Sequence, residues 1–134
     1  MTLLVDTSVW SLAYRRDTTG AAHEVAALRR GLTGGERVVS TGIVLLELLR
    51  GFVRPGARAT ILGDFAALEL LDPSRDDYVA AADLSTTCRR AGVQLPAIDS
   101  MIAQLCVAHD VVLLTADADF HHAARHIPLR VWTP

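Results

Sequence analysis

The strands of this chain show no alternation. LLV at 3–5 is apolar throughout, and VVLLT at 111–115 is apolar up to its final hydroxyl. A strand with one wet face alternates, whereas a run apolar at every position needs cover on both faces. Short apolar runs separated by helical stretches are the pattern of a parallel sheet between helical layers. Five strands are expected, at 2–6, 37–40, 68–71, 111–115 and 129–132. Helices are expected at 8–16, 21–31, from a Thr41 cap to Gly51, at 57–67, 74–91, 98–109 and about 119–126. Ser74 and Gly92 read as start and stop of the longest, and Gly31 as the end of the second. There is no internal repeat, linker or low-complexity tract, so residues 1–134 are expected to form a single α/β domain.

Against that pattern, several carboxylates stand where apolar residues are expected. Asp6 ends the first strand. Glu47 interrupts IVLLELL. Asp99 follows LPAI at the start of a helix, and Asp117 and Asp119 follow VVLLT. In a parallel sheet ligands bind beyond the carboxyl ends of the strands, where strand order reverses. Asp6, Asp117 and Asp119 lie at such ends, and Glu47 and Asp99 lie in early helical turns that reach the same rim. Each has an ordinary explanation: a helix cap for Asp6 or Asp99, a turn or cap for Asp117 and Asp119, a pair with Arg50 for Glu47. Together they are harder to dismiss, because independent accidents must then converge on one rim.

Clustered and buried carboxylates resist ionisation unless a cation joins them. A set of oxygen donors without a Cys/His cluster suits Mg²⁺, with Mn²⁺ able to substitute. Such an ion activates water and stabilises the charge on a phosphodiester during in-line displacement.

DTSVW, a Glu within a helix, AIDSMIAQLCVAH and VVLLTADADF stand in that order along the whole chain. Together they resemble the PIN-domain ribonucleases, and among these the VapC toxins of toxin–antitoxin pairs. The resemblance implies a three-layer α/β/α fold with a five-stranded parallel sheet and a metal-dependent endoribonuclease site. It implies Asp6, Glu47, Asp99 and Asp117 as the acidic quartet, with Asp6, Asp99, Asp117 and Asp119 as metal ligands. Thr115 is the polar residue before the last acids, and Ser8 supports the first. It further implies a homodimer and a VapB-type antitoxin, which would push an Arg or Lys among the acids. An inactive interaction domain on the same fold is the alternative, but such a domain is expected to have lost acids, and all are present.

Other readings fail on particular residues. A phosphoaspartyl-transfer phosphatase needs a second acid two positions after Asp6, where Ser8 stands. A response-regulator receiver needs a Lys, and all 13 basic residues here are Arg. GLTGGER lacks the ending of a phosphate-binding P-loop. His122 and His126, four apart, lack the Glu of a metallopeptidase helix.

The net charge of −2 excludes a bulk electrostatic nucleic-acid binder. Arg50, Arg54 and Arg58 are candidate RNA phosphate contacts, with Pro55 and Gly56 expected to break the helix between them. Trp10, Leu12 and the apolar faces of 44–49 are expected to be mostly core. Cys88 and Cys106 read as buried reduced thiols. With no signal peptide and no apolar run of bilayer length, the chain is expected to be cytoplasmic. Its mean hydropathy of +0.30 is high for a small domain and points to a partner-covered surface.

Overall fold

The computed structural model describes residues 1–15 and 22–134. Four strands, β1 (Thr2–Val5), β2 (Arg37–Thr41), β3 (Glu69–Leu71) and β4 (Val112–Leu114), form one sheet in the order β3-β2-β1-β4. Every neighbouring pair is parallel. Leu3, Leu4 and Val5 are wholly buried, as are Leu113 and Leu114. Continuous apolarity thus translates into cover on both faces, worth about 1.5–3 kcal/mol for each such side chain.

The fifth strand is a correction. The 129–132 segment makes a single bridge, Leu113 to Val131. Its only ladder bonds run from the Leu113 amide to the Arg130 carbonyl and from the Trp132 amide to the Leu113 carbonyl. The turns at 124–128 bring this segment to the edge of the sheet beside β4, which it meets at Val131.

Two helices, α1 (Thr7–Tyr14) and α2 (Ala22–Leu32), connect β1 to β2, and α3 (Gly42–Gly51) and α4 (Pro55–Ala66) connect β2 to β3. The predicted helix ends at 16 and 21 lie outside the described residues. Both crossovers step the same way across the sheet, so right-handed connection puts all four helices on one face. Next, α5 (Arg75–Arg90) and α6 (Ala97–Ala108) carry the chain back past β1 to β4, on the other face. They pack extensively on each other. The result is three layers, α/β/α. A short α7 (Ala118–Ala123) follows β4.

Local chemistry explains most boundaries. Ser74 and Asp77 form a reciprocal capping box at the start of α5. Gly92, at φ +83°, ends it, with the Val93 amide bonded back to the Cys88 carbonyl. Gly31 is not the stop it resembles. It lies inside α2, where a Cβ would meet Val38 Cγ2 at 2.6 Å, so it is there to let α2 close on β2. Pro55 and Gly56 open α4 and do not break a helix; the break falls at 52–54. Thr41 sits at the N-cap position of α3, but its hydroxyl caps nothing and is buried without a partner.

Candidate active site

Strand order reverses between β1 and β4, which lie side by side although β2 and β3 come between them in sequence. The carboxyl ends of these two strands carry Asp6 and Thr115. The Asp6 amide bonds to the Leu114 carbonyl at 2.9 Å, so the two ends meet in register.

Asp6 is 5% exposed and occupies the N-cap position of α1, yet its side chain makes no capping hydrogen bond. Capping alone therefore does not account for this carboxylate. Instead Asp6 Oδ2 accepts from Ser8 Oγ at 2.8 Å and from Thr115 Oγ1 at 2.9 Å. Each hydroxyl also accepts a backbone amide from the loop after β4. The Ala116 N–H donates to Ser8 Oγ and the Asp117 N–H to Thr115 Oγ1, both at 3.0 Å. One short network thus joins β1, α1 and the β4–α7 loop around a single carboxylate oxygen. Burial pushes the Asp6 carboxyl above the usual aspartate range, and the Ser8 and Thr115 hydroxyls, with the Thr7 and Ser8 amides, pull part of the way back.

Glu47 lies in α3 and is half-buried. Its partner is Thr7, whose Oγ1 donates to Glu47 Oε1 at 2.7 Å. No ion pair joins it to Arg50 among the described residues, so the structural excuse offered by sequence spacing is absent. Thr7 had no sequence signal beyond its place beside Asp6, because the contact spans forty residues.

Asp117 does cap α7, its Oδ1 accepting from the Asp119 amide at 2.9 Å. The ordinary role is present here and leaves the rest of the carboxylate at the rim. Asp119 is exposed, and Asp99, in the first turn of α6, is half-buried. Asp99 does not cap α6, whose N-cap is Pro96.

Asp99 shows how these acids are disposed. Its carboxyl is pushed up to about 6, first by burial and then by the charges of Asp6, Asp117, Glu47 and Asp119. The other four acids singled out in the sequence therefore lie within electrostatic reach of Asp99. The Cys106 thiol, buried in α6, is pushed up by burial and by the charge of Asp6.

The acids surround Asp99 loosely. Among the described residues, no three His, Cys, Asp or Glu side chains are drawn together tightly enough to cage an ion unaided. The donor chemistry still fits Mg²⁺, a hard ion that keeps several waters and takes one or two carboxylates with substrate phosphate oxygens.

The PIN-domain family pattern matches residues 3–126. VapC ribonuclease Mb1587 of Mycobacterium bovis is 31% identical to this chain over 128 residues, covering 92% of each. Ribonuclease VapC11 of Mycobacterium tuberculosis matches with the same identity and coverage. The chain is a PIN-domain protein of the VapC branch.

Solved PIN-domain complexes share its fold at low identity. VapBC2 from Rickettsia felis, bound to a promoter DNA fragment, superposes with a TM-score of 0.75 at 20% identity over 98% of each chain. VapBC-5 from Mycobacterium tuberculosis, a toxin–antitoxin family member, gives 0.67 at 19% identity over 99% of this chain and 98% of its own.

The remaining sequence candidates of this PIN domain are distributed around the rim and away from it. Arg50 lines an apolar hollow with Leu45, Leu46 and Leu49, and Arg54 lines another with Tyr14 and Thr60. Trp10, Val44 and Leu48 are core, as expected, but Leu46 is 54% exposed. The α3 helix thus presents an apolar edge beside Glu47. Cys88 and Cys106 are buried and free. No described helix is long and apolar enough to cross a membrane.

Proposed function

We propose that this chain is the toxin of a VapBC-type pair, an endoribonuclease that hydrolyses RNA phosphodiester bonds at the acidic rim with Mg²⁺, or Mn²⁺ in its place. The observation that carries the reading is the gathering of Asp6, Glu47, Asp117 and Asp119 about Asp99 at the reversal point of strand order. The ribonuclease names of relatives 31% identical over nearly the whole chain support it.

Asp6, Asp99 and Asp117, with Asp119 as a further donor, would hold the ion, which supplies an activated water and charge neutralisation on the phosphate. Ser8 and Thr115 fix the Asp6 carboxylate against rotation, so its orientation is set before substrate arrives. Thr7 does the same for Glu47, which is placed to accept a proton from the attacking water. Asp99, its carboxyl raised to about 6 without a cation, is a group whose charge state would answer to one.

The partners follow from the same surface. Outside the five rim acids, ten acidic side chains face thirteen arginines, so a negative cleft sits in a mildly positive body. A cognate antitoxin would lay a segment along an apolar edge such as that of α3 and direct a cation to the acids. A homodimer would cover further apolar surface, and the pair would act in the cytoplasm.

The test is cleavage of single-stranded RNA. Wild type should cut in Mg²⁺ or Mn²⁺ and not in EDTA, and Asp6→Asn, which keeps shape and removes charge, should not cut. An Asn variant as fast as wild type would overturn the assignment and leave an interaction domain in its place.

A further inference from the structure

A second hollow adjoins the rim, and its walls carry the opposite chemistry. This cavity, of about 240 Å³, is bounded by Val93, Gln94, Asp119, His122, Arg125 and His126. Asp119 lines this hollow and is also one of the acids whose charge acts on Asp99, so the hollow lies beside the rim. The other polar walls come from the end of α7. The His126 amide bonds to the Ala123 carbonyl at 2.9 Å and the Arg125 amide to the His122 carbonyl at 3.3 Å. These turns extend the helical path, so residues 122, 125 and 126, spaced i, i+3 and i+4, share one side.

Among the described residues, none of these three exposed side chains has a hydrogen bond or ion pair, in contrast to Arg37 and Arg130, each paired with a carboxylate. An exposed guanidinium without such a partner adds little to the stability of the fold and is free to meet a ligand. The His122 and His126 pair lacks the Glu of a metallopeptidase helix, so it is not a zinc site of that kind. Nor is the cavity a protein-docking surface in character. Such surfaces centre on aromatic or aliphatic anchors, as the Leu45, Leu46 and Leu49 hollow does, whereas this one is lined by an amide, a guanidinium and two imidazoles.

What these groups do fit is an RNA chain. A polyanion crossing a rim of five carboxylates is repelled at the scissile phosphate and needs cationic contact beside it. Guanidinium forks phosphate, amides hydrogen-bond base edges, and imidazole or guanidinium planes stack on unpaired bases. We infer that the hollow walled by Gln94, His122, Arg125 and His126 is the subsite that seats the nucleotide, with its phosphate, next to the one being cut. The inference rests on the ribonuclease reading and adds a substrate-positioning site to it.

The test reads binding apart from chemistry. A short fluorescein-labelled single-stranded oligoribonucleotide is titrated in EDTA at several salt concentrations, with fluorescence anisotropy as the signal. Arg125→Ala should weaken binding about tenfold and make the salt dependence shallower by about one unit of slope. Arg125→Lys, which keeps a point charge, should recover part of that loss. The double variant His122→Ala, His126→Ala should weaken binding by about threefold through lost stacking. In Mg²⁺ the same variants should raise KM and leave kcat within about twofold. Arg37→Ala, at the opposite, amino end of the strands, should behave as wild type. Because Arg125 is exposed and has no hydrogen-bond or ion-pair partner among the described residues, the melting temperature of the variant should not move, and a folded variant is expected. Unchanged affinity and slope for Arg125→Ala, while wild type still cuts RNA, would overturn the subsite and spare the ribonuclease reading. Wild type that neither binds nor cuts RNA would overturn both. Arg125→Ala that binds RNA normally but releases a purified antitoxin would assign the hollow to protein and sink the inference.

Discussion

Thr7 Oγ1 donates to Glu47 Oε1 at 2.7 Å, tying the first turn of α1 to the middle of α3. The bond holds a half-buried carboxylate that makes no ion pair among the described residues. Thr7→Val keeps the shape and deletes the donor. It should lower kcat for RNA cleavage by about tenfold through misplacement of Glu47, while stability falls by only about 1 kcal/mol. Thr7→Ser, which keeps the hydroxyl, should restore most of the rate. Single-turnover cleavage alongside urea unfolding measures both; a Val variant with normal kcat would leave Glu47 held by something else.

Asp99 should show a conflict between stability and activity. Burial and four neighbouring carboxylates disfavour its charge. Asp99→Asn removes that repulsion, so the variant should melt a few degrees higher than wild type in EDTA at pH 7 while losing cleavage. With saturating Mg²⁺ wild type should close the gap, because an ion bound only by the fold stabilises it by mass action. Differential scanning calorimetry in the two buffers decides; a variant less stable than wild type in EDTA contradicts the repulsion.

The pH dependence follows with its sign. The folded Asp99 carboxyl titrates near 6 and that of Asp6 is raised also, while both return to the ordinary aspartate range when unfolded. Between those values the folded chain binds more protons than the unfolded one, so their contribution to stability shrinks as pH rises. Metal-free protein should therefore lose stability between about pH 4 and 6 from Asp99, with Asp6 acting in the same direction, and Asp99→Asn should flatten part of that slope. Asp77, lowered by its bond from the Ser74 amide, works the other way, its contribution fading as pH falls below the ordinary aspartate range. Cleavage in Mg²⁺ should rise over the same interval in which Asp99 ionises. Melting curves across a pH series measure the first effect and initial rates the second.

Ser74 offers a purely structural contrast. Its Oγ accepts from the Asp77 amide at 3.2 Å while Asp77 Oδ2 accepts from the Ser74 amide at 2.9 Å. Asp77 Oδ1 also accepts from Gln104, joining α5 to α6. Ser74→Ala should cost about 1 kcal/mol of stability, read from denaturant midpoints at constant m-value. RNA cleavage should be unchanged, since the cap lies at the far end of a helix that contributes no acid to the rim.

The sequence by itself determined the elements and the individual acids. Continuous apolarity at 3–5 and 111–114 dictates buried parallel strands, and the Ser74 cap and Gly92 stop delimit α5, because periodicity and capping are local properties. Asp6, Glu47, Asp99, Asp117 and Asp119 stood out one by one for the same reason, each breaking a local pattern. Tertiary structure alone decided what they face. Strand order β3-β2-β1-β4 brings residue 6 against residue 115, turns Ser8 and Thr115 onto one Asp6 oxygen, and reduces the final segment to a bridge at Val131. The Thr7–Glu47 bond and the hollow that brings Gln94 beside Arg125 belong to the same class. These are contacts between segments far apart in the chain. They depend on how helices pack and cross the sheet, which no run of neighbouring residues encodes on its own.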